Sequence, residues 1–177
     1  MFLYLAMIDS DADKSKFEIL YSEYKNLMYY TANRILRNSS DAEDVVHQAF
    51  LKVIEILDTI SSPRCHKTRA LLVTITEHKA IDLYREKQRR NVLPLAEEYI
   101  GAAPAAEIER LAERDTLAAA IASLPPRYRS VLLLRYDCGY SNAEIANILD
   151  MTEPNVRKLI QRAKEKLSAA LSEMEEP

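Results

Sequence analysis

Between Thr152 and Lys166 the chain reads TEPNVRKLIQRAKEK, in which five basic residues stand against two acidic ones, a local charge of +3. Arginine, lysine and glutamine in such a run break no bonds. They donate hydrogen bonds, and their natural acceptors are phosphate oxygens and base edges. Val156, Leu159, Ile160, Ala163 and Leu167 recur at spacings of three and four, so the segment is expected to be a helix with an apolar stripe turned inward. At about 100° per residue, Arg157, Lys158, Gln161 and Arg162 fall opposite that stripe, where a helix in the major groove carries its contacts. Lys158 and Arg162, one turn apart, suit base edges, whereas Lys164 and Lys166, farther along, suit phosphates. A solvated helix on an ordinary bundle would show the same pattern, so the elements around it have to decide.

Immediately upstream, Ser141 stands three residues before Glu144, the spacing of a capping box, and Ile145, Ala146 and Leu149 supply the buried side of a short helix. Asp150 and Met151 make a turn. Thr152 can cap the next helix, Glu153 favours its positive end, and Pro154 fits a first turn that donates no intrahelical N–H. Ser141 to Leu167 therefore reads as a helix-turn-helix.

Two further stretches could carry contacts. A first helix is expected over Ser15–Arg37. Ser40 and Glu43 offer a second capping box, opening a helix over about Asp41–Leu57 whose Val45, Val46, Ala49, Phe50, Val53, Ile56 and Leu57 point one way. Its other face gathers Asp41, Asp44, Gln48, Leu51, Lys52 and Glu55, which is either a solvated face with a stray leucine or a docking surface with an apolar anchor and a charged rim. Asp58–Lys67 reads as a loop, and its Cys65-His66 lacks the second ligand pair of a zinc site. Thr68–Arg90 is expected to be a long helix ending in EKQRR. On it His78, Asp82, Arg85 and Arg89 follow one another at four, three and four residues, a stripe that fits a metal site or DNA. The arginines favour DNA.

The chain has 177 residues and a formal charge of −3, with glycine only at Gly101 and Gly139, which leaves no material for a Gly-rich phosphate loop. Charge is unevenly spread: Arg64–Arg90 holds eight basic and three acidic residues, and Asn91–Asp115 two basic and six acidic. Residues 92–105 show no sustained period and read as an interdomain linker. Beyond it, Ile108, Leu111, Leu117, Ala120, Ile121 and Leu124 form a helix that Pro125-Pro126 stops and restarts, and Val131, Leu132, Leu134 and Tyr136 lie on the next. The expected fold is all-α, with two small helical domains on a flexible linker, the C-terminal one a four-helix domain containing the helix-turn-helix. Cys65 and Cys138 form no C-x-x-C, and Met1–Ile8 is neither signal peptide nor anchor, so a reduced, cytoplasmic protein is expected. Met7 would serve as a start as well as Met1. No nucleophile–base pair, zinc motif or phosphate loop is present, so neither an enzyme nor a cofactor or metal is expected. A helix-turn-helix regulator with a helical dimerisation or sensor half stays as the alternative.

Asp41-Ala42-Glu43-Asp44-Val45-Val46-His47-Gln48-Ala49-Phe50, then Ala80-Ile81-Asp82-Leu83 before a basic run, then Leu124-Pro125-Pro126-Arg127-Tyr128-Arg129 ahead of the helix-turn-helix, together resemble a bacterial extracytoplasmic-function (group IV) sigma factor. The resemblance covers nearly the whole chain. It implies that residues 1–91 are sigma region 2, 92–105 the linker and 106–177 sigma region 4. Asp41, Asp44, Gln48, Leu51 and Glu55 would dock on the clamp of the RNA polymerase large subunit. Ser61, Ser62, Arg64, Lys67, His78, Lys79, Asp82, Arg85 and Arg89 would read and melt the downstream promoter element and capture an extruded base. Thr152, Asn155, Arg157, Lys158, Gln161, Arg162 and Lys166 would read the upstream element as duplex. Leu71 stands where the family usually has tryptophan, Gln48 where it has an acid and His78 where it often has asparagine. The implied partners are RNA polymerase core, promoter DNA and an anti-sigma factor, with no membrane insertion.

Overall fold

A computed structural model describes residues 1–91 and 116–175. All regular structure among these residues is helical, and the chain divides into two compact units, Met1–Leu95 and Ala96–Pro177. The expected linker, 92–105, lies outside the described residues, as do Ile108 and Leu111.

The N-terminal unit is built from α1 (Phe2–Leu5), α2 (Asp11–Leu36), α3 (Ser39–Glu55) and α4 (His66–Asn91), with one 3-10 turn at Leu57–Thr59. Helix α2 starts where Ser10 Oγ accepts from Asp13 N (3.4 Å), and ends where Arg37 turns left-handed at φ 51°. Helix α3 begins earlier than the expected Ser40–Glu43 box would have it. Asn38 is the extended residue, and its side-chain oxygen accepts from Asp41 N (3.0 Å). Asn38 and Asp41 have the same three-residue separation as Ser40 and Glu43, and the left-handed Arg37 leaves Asn38 as the first residue able to cap. Phe17, Leu20, Met28 and Ala32 of α2, Val45, Ala49, Phe50 and Val53 of α3, and Leu71, Leu72 and Ile75 of α4 form the core.

Helix α1 is one turn long, yet it closes that core. Tyr4 is buried, its ring 5.3–5.9 Å from those of Phe17, Tyr21, His47 and Phe50, and its hydroxyl shares a 2.6 Å hydrogen bond with His47 Nδ1. Aromatic rings at these separations add to the gain from burial. Removing the side chain would leave a cavity among these four rings.

The C-terminal unit comprises α5 (Thr116–Ser123), α6 (Pro126–Leu132), a π-helical turn (Leu133–Asp137), α7 (Asn142–Ile148) and α8 (Glu153–Glu175). Pro126 opens α6, where its missing N–H costs nothing. The π turn was not expected: Cys138 N donates to Leu133 O (2.9 Å), five residues back, so Tyr136 does not share the inward face of Val131, Leu132 and Leu134 and stands 60% exposed. Gly139, at φ 83°, then turns the chain toward α7. The Ser141 box is formed, with Glu144 N donating to Ser141 Oγ (3.2 Å) and Ser141 N to Glu144 Oε2 (2.7 Å). Asp150 is left-handed (φ 52°), Thr152 O accepts the first bond of α8 from Val156 N, and Val156, Ile160 and Ala163 are buried beneath it.

Two outcomes follow from these contacts. Tyr4→Ala should cost about 3 kcal/mol and Tyr4→Phe about 1 kcal/mol, read as a lowered urea midpoint for the N-terminal unit, and a chain begun at Met7 should behave like Tyr4→Ala. In the helix-turn-helix, the hydrogen bonds from Ser141 hold the Glu144 carboxyl below the usual glutamate range. Its contribution is therefore complete above the ordinary glutamate pKa and drains away as pH falls through the depressed one. Ser141→Ala should cost about 1 kcal/mol, and Glu144→Gln should flatten the acid limb of thermal stability measured against pH.

Candidate nucleic-acid interface

Helix α8 presents its polar side as the sequence pattern requires. Thr152, Asn155, Arg157, Lys158, Gln161, Arg162 and Lys166 are all exposed. They are not equivalent, because two are held by acids on the same helix. Arg157 Nη2 lies 2.6 Å from Glu153 Oε1, and Gln161 Nε2 donates to Glu165 Oε1 at 3.1 Å, each pair four residues apart. Asn155, Lys158 and Arg162 have no such partner among the described residues and fall to one side of the outer face. Lys164 and Lys166 rest on rings instead, 5.2 Å from the Tyr136 centroid and 5.6 Å from that of Tyr128. The arrangement can donate hydrogen bonds into a groove from a bare edge of lysine, arginine and asparagine, and can meet phosphates with the flanking lysines.

The residues expected at the downstream element are only partly brought together. Ser61, Ser62, Arg64, Lys67, Asp82 and Arg89 are exposed, and Lys79 and Arg85 half-buried. His78 is not among them. It is 5% exposed, because α4 packs on both α2 and α3 and turns Thr74, Glu77 and His78 inward with its apolar residues. The expected stripe from His78 to Arg89 thus begins at Asp82. Its loop is firmly tied: Tyr24 Oη donates to Pro63 O (2.9 Å), Thr68 Oγ1 to Ser62 O (2.7 Å), and Arg64 Nε to Glu23 Oε1 (3.2 Å). Cys65 Sγ accepts from Thr68 N (3.4 Å), and the hydrogen bonds from Thr68, opposed by burial, hold the thiol below its ordinary pKa. Burial, and next the neighbouring Cys65, push the Tyr24 phenol up, so it stays a donor to the loop.

On α3, Asp44, Gln48 and Glu55 are exposed, as expected of a docking face. Leu51 is half-buried rather than exposed. Lys52, expected on this face, is 5% exposed, its apolar stem inside the bundle while Nζ reaches Glu55 Oε2 at 2.9 Å. Asp41 is half-buried and paired with Lys87 of α4, so it ties two helices together. The expectation left out His47. Three residues after Asp44 and four before Leu51, it shares their face, and that spacing was the available signal.

Among the described residues no group of three His, Cys, Asp or Glu side chains could hold a metal ion, neither cysteine is in a disulfide, and no helix is long and apolar enough to cross a membrane. The family model described as sigma-70 region 2 matches residues 20–90, and that described as sigma-70, region 4 matches residues 114–167. The chain is 27% identical over 165 residues to the ECF RNA polymerase sigma factor SigL of Mycobacterium tuberculosis, covering 92% of this chain and 93% of the relative. It is 26% identical over 174 residues to the ECF RNA polymerase sigma factor SigW of Bacillus subtilis, covering 92% of each. Among solved structures, that of CnrH in complex with the cytosolic domain of CnrY is similar at 27% identity and a TM-score of 0.38, over 88% of this chain and 87% of that one. With both sigma-70 regions present in order and relatives aligned along nearly its whole length, the chain belongs to the sigma-70 family, as an extracytoplasmic-function sigma factor.

Proposed function

We propose that this protein binds RNA polymerase core and directs it to a particular set of promoters, with no catalytic chemistry of its own. The observation that carries the reading is the presence on one chain of a sigma-70 region 2 match at residues 20–90 and a region 4 match at 114–167. Residues 1–91 serve as the polymerase-binding and promoter-melting domain, 92–105 as the linker and 106–177 as the upstream-element reader. The protein works in the cytoplasm, and an anti-sigma factor restrains it.

In this reading Asp44, Gln48, Leu51 and Glu55 make the docking face, with Asp41 holding α3 to α4 at its edge. Ser61, Ser62, Arg64, Lys67, Lys79, Asp82, Arg85 and Arg89 contact the downstream element, and a single strand bound there is stabilised by backbone contacts and by bases taken out of the stack. Asn155, Lys158 and Arg162 read base edges of the upstream duplex, Thr152 and Lys166 meet its backbone, and Arg157 and Gln161 take part after exchanging their acidic partners for DNA.

Run-off transcription with purified core polymerase on a fragmented genome tests the function directly. Discrete start sites should appear only when the chain is added, whereas binding to a palindromic site without polymerase would favour a dimeric repressor. Within that assay Leu51→Arg and Asp44→Lys should each weaken core binding by about 2 kcal/mol, with helicity unchanged. Unaltered affinity in a core-polymerase titration removes α3 as the docking face.

A further inference from the structure

Tyr128 and Tyr136 belong to none of the surfaces above, yet each meets an exposed lysine of α8. Lys164 Nζ sits 5.2 Å from the Tyr136 centroid and Lys166 Nζ 5.6 Å from that of Tyr128, both within the range in which a ring face attracts an ammonium group. The two lysines are two residues apart, about 200° around the helix, so they stand on opposite flanks of the inward stripe of Val156, Ile160 and Ala163. One tyrosine therefore serves each flank.

Tyr136 reaches its place only through the π turn. In an uninterrupted α-helix, residue 136 would lie one turn beyond the buried Leu132 and on the same inward face. The wider turn, closed by Cys138 N on Leu133 O, rotates it outward, and a π turn is a costly irregularity that tends to be found at functional positions. Leu134, in the same turn, stays fully buried, so the irregularity displaces Tyr136 without emptying the core.

We propose that Tyr136 and Tyr128 are positioning residues that hold the Lys164 and Lys166 ammonium groups on the two rims of α8 for contact with the phosphates bordering the groove. The inference rests on α8 being the helix that enters upstream DNA. A free lysine surrenders rotamer freedom when it clamps a phosphate, and one already resting on a ring surrenders less. The contact carries no sequence information, because phosphates do not report base identity. The tyrosines thus act on affinity and leave base preference to Asn155, Lys158 and Arg162.

The experiment uses full-length variants in holoenzyme on a promoter recovered by run-off selection, with binding measured across a salt series. Tyr136→Leu should weaken binding about two- to fivefold, the range of a surface cation–π contact, and equally on all upstream sequences; Tyr136→Phe should restore it. Lys164→Ala should lower the salt slope by about one counterion, and in that background Tyr136→Leu should have no further effect. Tyr128→Leu and Lys166→Ala should form a second such pair. A Tyr136→Leu defect that keeps its size without Lys164, or no defect at all, overturns the positioning role. Arg162→Ala separates this from failure of the underlying reading. If it leaves the selected upstream sequence unchanged, α8 is not the reader and both fall; if it relaxes the sequence while the tyrosines are silent, only the positioning role falls.

Discussion

Helices α3 and α8 must each bury an apolar stripe, and that constraint decides what their other faces are free to do. In α8 the stripe of Val156, Ile160 and Ala163 fixes the rotation of the helix, and the polar residues have no choice of direction once it is set. In α3 the burial of Val45, Ala49, Phe50 and Val53 does the same for Asp44, Gln48 and Glu55. Surface contacts of this kind contribute little to stability, so they can change without unfolding the domain, whereas the stripes cannot.

Charge is distributed by a second, weaker rule, in which an acid on the same or the adjacent helix occupies some of the cations. Glu153 takes Arg157, Asp41 takes Lys87 and Glu23 takes Arg64. Exposed pairs of this sort are worth about 0–1 kcal/mol and weaken with salt, so they orient side chains more than they hold the fold. On α8 the result is an asymmetry, with one edge paired and the other bare. A nucleic acid approaching the bare edge displaces no ion pair, while one approaching the other edge must exchange carboxylates for phosphates or bases.

Much of this is legible in the sequence, and each miss has a physical cause. The helix-turn-helix, its capping box at Ser141 and its outward cations depend on contacts within a few residues, which spacing reports faithfully. The position of His78 depends on what α4 packs against, and a helix touching two others buries a wider arc than a one-stripe reading allows. Lys52 misled for a related reason, since a long aliphatic stem lets a charged residue lie beneath the surface. The start of α3 was ambiguous because Asn38–Asp41 and Ser40–Glu43 offer the same local chemistry two residues apart. The π turn left no mark in the apolar pattern, as one extra residue in a turn resembles ordinary helical scatter. Tyr4 lies in a segment too short to show any period.

The bond from Tyr24 Oη to Pro63 O joins the middle of a 26-residue helix to the tip of the loop before α4. Together with Thr68 on Ser62 O, it leaves the loop little freedom to wander. Ordering a backbone residue costs about 1–2 kcal/mol, and for this loop that entropy is lost when the domain folds rather than when a ligand arrives. The loop is preorganised. A ligand docking there would encounter a loop already in shape, so ordering that loop would add little to the cost of binding.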